Sequence, residues 1–415
     1  MWRNIFFKRT LLAIMFIGLG AGLMAQPVQS QTVVYVDSRS PLLDIKIMIP
    51  AGSAHDPTGK EGLAYLTARM LIEGAFGDPA HPVTKDKLAE MVLPWGSGAY
   101  PSIRVSRETT VFSMKVPLEV LDDYLTKILH PMFTQPLFRP KELERMRNET
   151  IQTLRSIRLE QIELVGLMAL DAYIHLNTSY AHPEMGTVKG LSHITPEDIR
   201  RFYATFYRPV DVTVGVTRKD TAIQNKIVSA LKGMGRQRVK LFKIPTPAPP
   251  PPVSGREVVI IAMPNAISSG IHAGFPLPIT RKDPDYWALY VANIWFGTHR
   301  DSFSHLYQVI RAARGYNYGD YSYIEHFEGR PFHLFPPTNT PRRYQYFSIW
   351  IRPVDHKYVV HIMKALTWEL ENFIRTGLSK EQCSWPKTKP VSFTSASLKR
   401  RNGSSGISSM TCSTA

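Results

Sequence analysis

Residues 61–74 read Glu-Gly-Leu-Ala-Tyr-Leu-Thr-Ala-Arg-Met-Leu-Ile-Glu-Gly, and the reading of the whole chain hangs on them. Leu63, Leu66, Met70 and Leu71 recur at helical spacing, and Gly74 is a helix stop. Two turns lead into this helix, Pro50-Ala51-Gly52-Ser53 and Pro57-Thr58-Gly59. Before them stand two strand patterns, Val33–Val36 and Leu42–Ile49. A strand–turn–helix opening of this kind is one half of a layer of helices on a sheet.

Outward from there the pattern continues. Thr109–Val116 reads as a strand, and Glu119–Leu129, Pro140–Arg158 and Leu164–Leu176 read as helices. Thr195-Pro196-Glu197-Asp198 is a helix start, with the cap at Thr195 and proline at the first helical position. Asp211–Val216 reads as a strand and Ala222–Leu231 as a helix. Ile244–Ser254 then holds six prolines and reads as an extended linker. Beyond it the scheme repeats. Val258–Ala262, Gly270–Phe275 and Phe347–Ile351 read as strands, and Pro284–Trp295, Phe303–Ala313 and His356–Arg375 as helices, the last stopping at Gly377. The expected fold class is α+β. It comprises two homologous sandwich domains, 31–243 and 255–382, each with helices on one face of a mostly antiparallel sheet, joined by the linker 244–254.

At 415 residues the chain is long enough for two domains, and 44% hydrophobic with 20% charged residues excludes wholesale disorder and a multi-span membrane protein. Lys+Arg exceed Asp+Glu by 50 to 34, a net charge of +16. The excess is uneven. Residues 1–30 carry three cations and no acid, residues 384–415 carry five and no acid, and the body retains +8. Arg3, Lys8 and Arg9 followed by the uncharged run Leu11–Met24 form a secretory signal pattern, residues 1–30, with cleavage after Ala25 or Ser30. An uncleaved anchor is the other reading. Either way the chain is expected to be exported, periplasmic or secreted, and to meet a membrane only through this segment. The two cysteines, Cys383 and Cys412, are too few for a disulfide framework. Residues 383–415 read as an aberrant or disordered tail, and a frame slip near Gln382 would leave the second domain C-terminally truncated.

The residues around the first helix resemble the insulinase/pitrilysin family of zinc metallopeptidases. The resemblance rests on Ala51-Gly52-Ser53, on Gly62 to Leu71 with Glu73-Gly74, and on Phe202-Tyr203-x-x-Phe206-Tyr207-Arg208-Pro209. It resumes at Asp283-Pro284-Asp285-Tyr286 and at Ile310-Arg311-Ala312-Ala313-Arg314-Gly315-Tyr316-Asn317-Tyr318-Gly319. In active members of that family the helix carries His-x-x-Glu-His, two imidazoles on one face for zinc and a carboxylate to activate its water. The resemblance puts Tyr65, Ala68 and Arg69 at those positions, Glu149 at the third ligand and Glu142 at a second family acid. Tyrosine is a poor zinc ligand, arginine a fixed cation, and alanine no base. No metal is expected in this chain, since a lone Glu149 does not make a zinc site; it is read as a solvated or ion-paired helix carboxylate, with Arg69 as a partner.

The resemblance also assigns Arg311 and Tyr318, seven residues apart, to the pair that binds the substrate carbonyl and its oxyanion at the zinc of the opposite lobe. The other reading makes Arg311 a surface cation and Tyr318 a packed strand residue. His299, His305 and His326 show no ligand spacing, and Gly186 and Gly190 read as turn residues. No phosphate loop, dinucleotide fingerprint or nucleic-acid motif is present. What the resemblance implies is a non-catalytic subunit of an exported zinc metallopeptidase. It would bind peptide and lend Arg311 and Tyr318 in trans to a zinc-bearing partner in a heterodimer. A peptide-binding or scaffold protein is the alternative, and a peptidase active alone the third.

Overall fold

The computed structural model describes residues 31–34, 39–235, 245–327 and 342–383. The expected export signal and the tail beyond Cys383 lie outside them.

The first sheet has five strands: β1 (Gln31–Val34), β2 (Leu42–Ile49), β3 (Ser102–Val105), β4 (Thr110–Pro117) and β5 (Thr213–Val216). Their order is β1-β5-β2-β4-β3, antiparallel except for the parallel pair β1–β5. Strand β2 alternates, as a sheet with one buried face requires. Leu43, Ile45, Ile47 and Ile49 point into the core, each no more than 1% exposed. Helix α1 (Leu63–Glu73) lies against them, followed by α2 (Lys85–Val92). After β4 come α3 (Leu121–Tyr124), a π turn at Leu125–Leu129, and α4 (His130–Thr134). Then follow α5 (Pro140–Glu160), α6 (Ile162–Ile174), α7 (Val188–His193), α8 (Pro196–Phe206) and α9 (Thr221–Ala230). Helices α5 and α8 cover α1, eight of whose eleven residues are buried.

Helix α8 starts where the sequence places it. The Thr195 hydroxyl accepts from the Asp198 amide, and the Asp198 carboxylate accepts from the Thr195 amide, a reciprocal capping box. Lys60 pairs with the same carboxylate. Thr195→Ala is expected to cost about 1 kcal/mol of stability, read as a shifted urea midpoint at constant slope.

The second sheet comprises β6 (Ser269–Leu277), β7 (Asn317–Tyr323) and β8 (Gln345–Val354) in the order β6-β8-β7, all antiparallel. Helices α10 (Asp285–Gly297) and α11 (Val359–Thr376) cover one face, where Phe347, Ile349 and Ile351 meet Phe296, Ile362 and Leu366. The opposite face carries Tyr321, Tyr323 and Trp350, and Leu164 and Leu167 of α6 pack on it. Glycines let α6 approach: a Cβ at Gly166 would lie 2.2 Å from the His272 ring, and one at Gly274 3.3 Å from Leu170. The back of the second sheet is thus built by a helix of the first half.

Three expectations change. Val258–Ala262 is not a strand; the run is apolar enough, but among the described residues no strand lies beside it to take its amides and carbonyls. Phe303–Ala313 is not a regular helix; most of it is a π-helical turn, Tyr307–Ala312. Gly190 is helical rather than a turn residue, and its missing Cβ makes room for Glu61, whose atoms lie 2.4–2.7 Å from where that carbon would be. Gly186 does turn, with φ of +88°. Helix α2 and strand β3 have no sequence-level counterpart above, because both are short and largely polar. Among the described residues no helix is long and apolar enough to cross a membrane.

Candidate functional site

Tyr65 and Arg69 stand one turn apart on α1 and so share a face. That face looks at α5, where Glu142, Arg145 and Glu149 line up at the same helical spacing. The Arg69 guanidinium lies between carboxylates. Its Nε and Nη2 donate to Glu73 at 2.9 and 3.0 Å, and Nη2 also donates to Glu149 at 2.8 Å. Nη1 reaches Thr150 Oγ1 at 3.4 Å. Arg145 extends the network to Glu142 at 2.9 Å and to Glu149 at 2.7 Å, and Lys85 pairs with Glu73 at 3.1 Å. Burial opposes the charge on Arg69, but its bonds to Glu73 and Glu149 outweigh this and raise its pKa. Burial likewise opposes the Glu73 anion, and Arg69 holds it below the usual carboxylate range. The hydrogen bond from Arg69 does the same for Glu149. Burial raises the Tyr65 phenol, so it stays neutral. Ala68 is a fully buried methyl group in the core.

These residues do not fit a zinc ion. The carboxylates that would attract a cation already hold two guanidiniums and an ammonium, and a neutral phenol is the sole other donor at the resemblance's ligand positions. No step through a metal follows for this chain. Arg69→Ala is expected to destabilise by about 2 kcal/mol, between the exposed and buried limits for ion pairs. Both carboxylates are depressed in the fold, so their stabilisation exists above the unfolded carboxylate pKa and is lost as pH falls. The variant should therefore lose stability at neutral pH and show a flatter acid limb in urea melts.

The second group lies on the other sheet. The Arg311 guanidinium stacks over the Tyr318 ring at 4.3 Å and the Tyr307 ring at 4.8 Å, and its Nη1 donates to the Tyr318 carbonyl at 2.8 Å. Tyr318 is 68% exposed and Arg311 half-buried, so the pair lies at the surface where β7 begins. Asp320, two residues on and on the same strand face, is buried. Asn317 donates to its Oδ1 at 2.6 Å, while Oδ2 has no partner. Burial pushes this carboxyl up to about 7 against the pull of Asn317 and Arg311. Among the described residues no hydrogen bond or ion pair joins this group to the Arg69 cluster.

A third constellation escaped the sequence reading. Asp171, on α6, is clamped between Arg107 from the β3–β4 turn and Arg342 from the segment before β8. Arg107 Nη2 donates to Oδ2 at 2.7 Å and Arg342 Nη2 to Oδ1, and all three side chains are at most 4% exposed. Burial works against the Asp171 charge, but Arg342 and Arg107 hold its pKa well below the ordinary range. His175 Nδ1 meets the Asp171 carbonyl at 2.8 Å, and His326 Nδ1 the Tyr346 hydroxyl at 2.9 Å. Asp171, Glu184 and His326 are the one group among the described residues with metal-ligand proximity. Two guanidiniums already neutralise its acids, so it reads as an ionic lock between the halves. A lone Asp inside the apolar run Leu164–Ile174 was the available signal. His305 is structural too, bonded to Glu369 at 2.8 Å and stacked on Trp295.

Two consecutive models of one family match the chain, "Insulinase (Peptidase family M16)" over residues 32–187 and "Peptidase M16 inactive domain" over 193–384. The chain belongs to the insulinase family of peptidases. An uncharacterized zinc protease of Streptomyces coelicolor is 27% identical over 194 residues, which is 44% of this chain and 41% of that relative. The match therefore spans well under half of that protein. Among solved structures, a peptidase M16 inactive domain from Pseudomonas fluorescens superposes with TM-score 0.71 at 19% identity, over 90% of this chain and 84% of that one. A protease from Helicobacter pylori gives 0.71 at 14% identity, over 89% and 84%. The first half of the periplasmic protease PqqL from Escherichia coli gives 0.59 at 14%, over 91% and 78%. At these identities the superpositions speak for the insulinase fold alone.

Proposed function

We propose that this chain is a non-catalytic subunit of an exported insulinase-type zinc metallopeptidase. It binds peptide and presents Arg311 and Tyr318 to substrate held at the zinc of a partner subunit. The observation that carries the reading is the Arg69 guanidinium, bonded to Glu73 and Glu149 at the position where the family's second zinc-binding histidine stands. A chain with this network in place of a metal needs another subunit for the water-activating chemistry. The stacked pair of half-buried Arg311 and exposed Tyr318 supports the second half of the proposal. One donor fork and one phenol at the surface suit a carbonyl oxygen brought from outside. The signal pattern at residues 1–30 supports an exported pair of subunits, in the periplasm or outside the cell.

The test is reconstitution. This chain is mixed with a homologous chain carrying His-x-x-Glu-His, and cleavage of a quenched fluorescent peptide is followed. Activity in the mixture alone supports the proposal, and full activity of the zinc-bearing chain by itself overturns it. One observation favours a scaffold role instead: Arg311 already donates to the carbonyl of Tyr318. In that case the mixture gains peptide affinity without turnover.

A further inference from the structure

Asn317 and Asp320, at the start of β7, hold two buried oxygens that nothing answers. Asp320 is 1% exposed, and its Oδ2 has no hydrogen-bond partner among the described residues. Neither has Asn317 Oδ1. The Asn317 amide can face only one way. Its Nδ2 donates at 2.9 Å to the Gly319 carbonyl and at 2.6 Å to Asp320 Oδ1, two acceptors that a flipped amide would meet with oxygen. A carboxylate would leave this corner with acceptors and no further donor. A carboxyl group supplies the donor: with a proton on Oδ2, the two side chains close a cyclic pair, N–H to one carboxyl oxygen and O–H back to the amide oxygen. One proton then satisfies both orphans, in a place where an unmet polar atom is costly.

The surroundings point the same way. From the π turn come Arg311 and Tyr307, stacked together with Tyr318. Strand β8 sets Ile351 opposite Asp320 and turns Arg352 to the other sheet face, where Glu163 of α6 pairs with it. Helix α10 meets the strand through Asn293 and Gly297, which carry no charge, and its Tyr286 and Tyr290 lie by Glu325, beyond the far end of β7. His361 of α11 packs on Tyr316. On β7 itself the Tyr321 phenol is kept neutral by burial. Among the described residues Arg311 is thus the one cation whose field reaches Asp320. Yet it donates to the neutral Tyr318 carbonyl at 2.8 Å and makes no ion pair with the carboxyl. A guanidinium bonds an anion more strongly than a carbonyl; a neutral Asp320 removes the contest. Burial pushes this group in the same direction, up to about 7.

We propose that Asp320 keeps a proton in a pair with Asn317, and that this proton positions Arg311. With it, the guanidinium stays stacked on Tyr307 and Tyr318. Once the proton leaves to water, the carboxylate draws the guanidinium inward, away from the surface. Asp320 is therefore a positioning residue: it touches no substrate and acts through Arg311. Its effect on peptide cleavage rests on the function proposed above; its effect on Arg311 does not.

The full chain, by itself, is titrated by NMR with aspartate carboxyls and arginine side chains isotopically labelled. Asp320 is assigned by its loss in Asp320→Asn and Arg311 by its loss in Arg311→Lys. The Asp320 carboxyl should stay protonated to near neutral pH, and the Arg311 Nε signal should shift with the same midpoint. Asp320→Asn keeps the cyclic pair and cannot ionise, so its Arg311 signal should hold still between about pH 5 and 9. Asp320→Leu is the same control should the amide variant fail to fold. A carboxyl that ionises near the ordinary value of about 4 overturns the proposal, and so does an Arg311 signal indifferent to it. In the reconstituted pair, the ratio of Asp320→Asn to wild-type kcat should rise about tenfold per pH unit above that midpoint, with KM nearly unchanged. A flat ratio overturns the positioning role. A mixture without activity counts against the proposed function instead, and the titration of the chain alone still decides.

Discussion

Asp171→Asn should destabilise the protein by about 3–5 kcal/mol, the cost of leaving buried guanidiniums without their counter-ion. The substitution keeps the volume and removes the charge that Arg107 and Arg342 share. Urea melts followed by tryptophan fluorescence measure it. The triple change of Asp171→Leu, Arg107→Met and Arg342→Met removes the buried carboxylate and both guanidiniums together, leaving only the partly exposed Glu184, and is expected to recover most of the loss. If Asp171→Asn melts like wild type, the clamp contributes nothing. The pH dependence has a definite sign. The Asp171 pKa is depressed in the fold, so its stabilisation is fully present above the unfolded aspartate value, near 4, and disappears as pH falls through the folded value. Wild type should lose stability below about pH 4, and the Asp171→Asn protein, lacking that titration, should show a shallower decline over the same range.

Arg311→Ala should lower the peptide-cleaving rate of a reconstituted pair by about 10²–10³-fold, the usual range for removing a donor aimed at an oxyanion. Tyr318→Phe tests the phenol separately, since it keeps the ring on which Arg311 stacks at 4.3 Å. Both side chains lie at the edge of the fold, so thermal melts should move little. If the pair acts on the transition state, kcat falls and KM is nearly unchanged; if it merely holds peptide, KM rises and kcat stays. Equal rates for Arg311→Ala and wild type would remove this chain from the chemistry.

Local patterns carried far. The α1 helix, the alternation in β2 and the Thr195 cap are each set by residues within a few positions of one another, and each stands where the sequence reading puts it. Arg69 and Glu149 meet as the reading allowed, because helical spacing fixes which faces of α1 and α5 their side chains leave from. What escaped depends on long-range company. Asp171 takes its meaning from Arg107 and Arg342, which lie on a turn and a loop far away in sequence. Val258–Ala262 has a strand's composition, but pairing makes a strand, and no composition reveals whether a neighbour is there. The π turn at Tyr307–Ala312 has no propensity signature.

Helix α6 belongs to the first half by sequence and to the back of the second sheet by position, with Gly166 against His272. A nick anywhere in the proline-rich stretch 245–254 would therefore break the covalent chain without releasing two molecules. The fragments would elute together and come apart on denaturation, and the same site is a natural opening for circular permutation. The boundary that composition draws between the halves is a seam in the chain, while the mechanical unit runs across it.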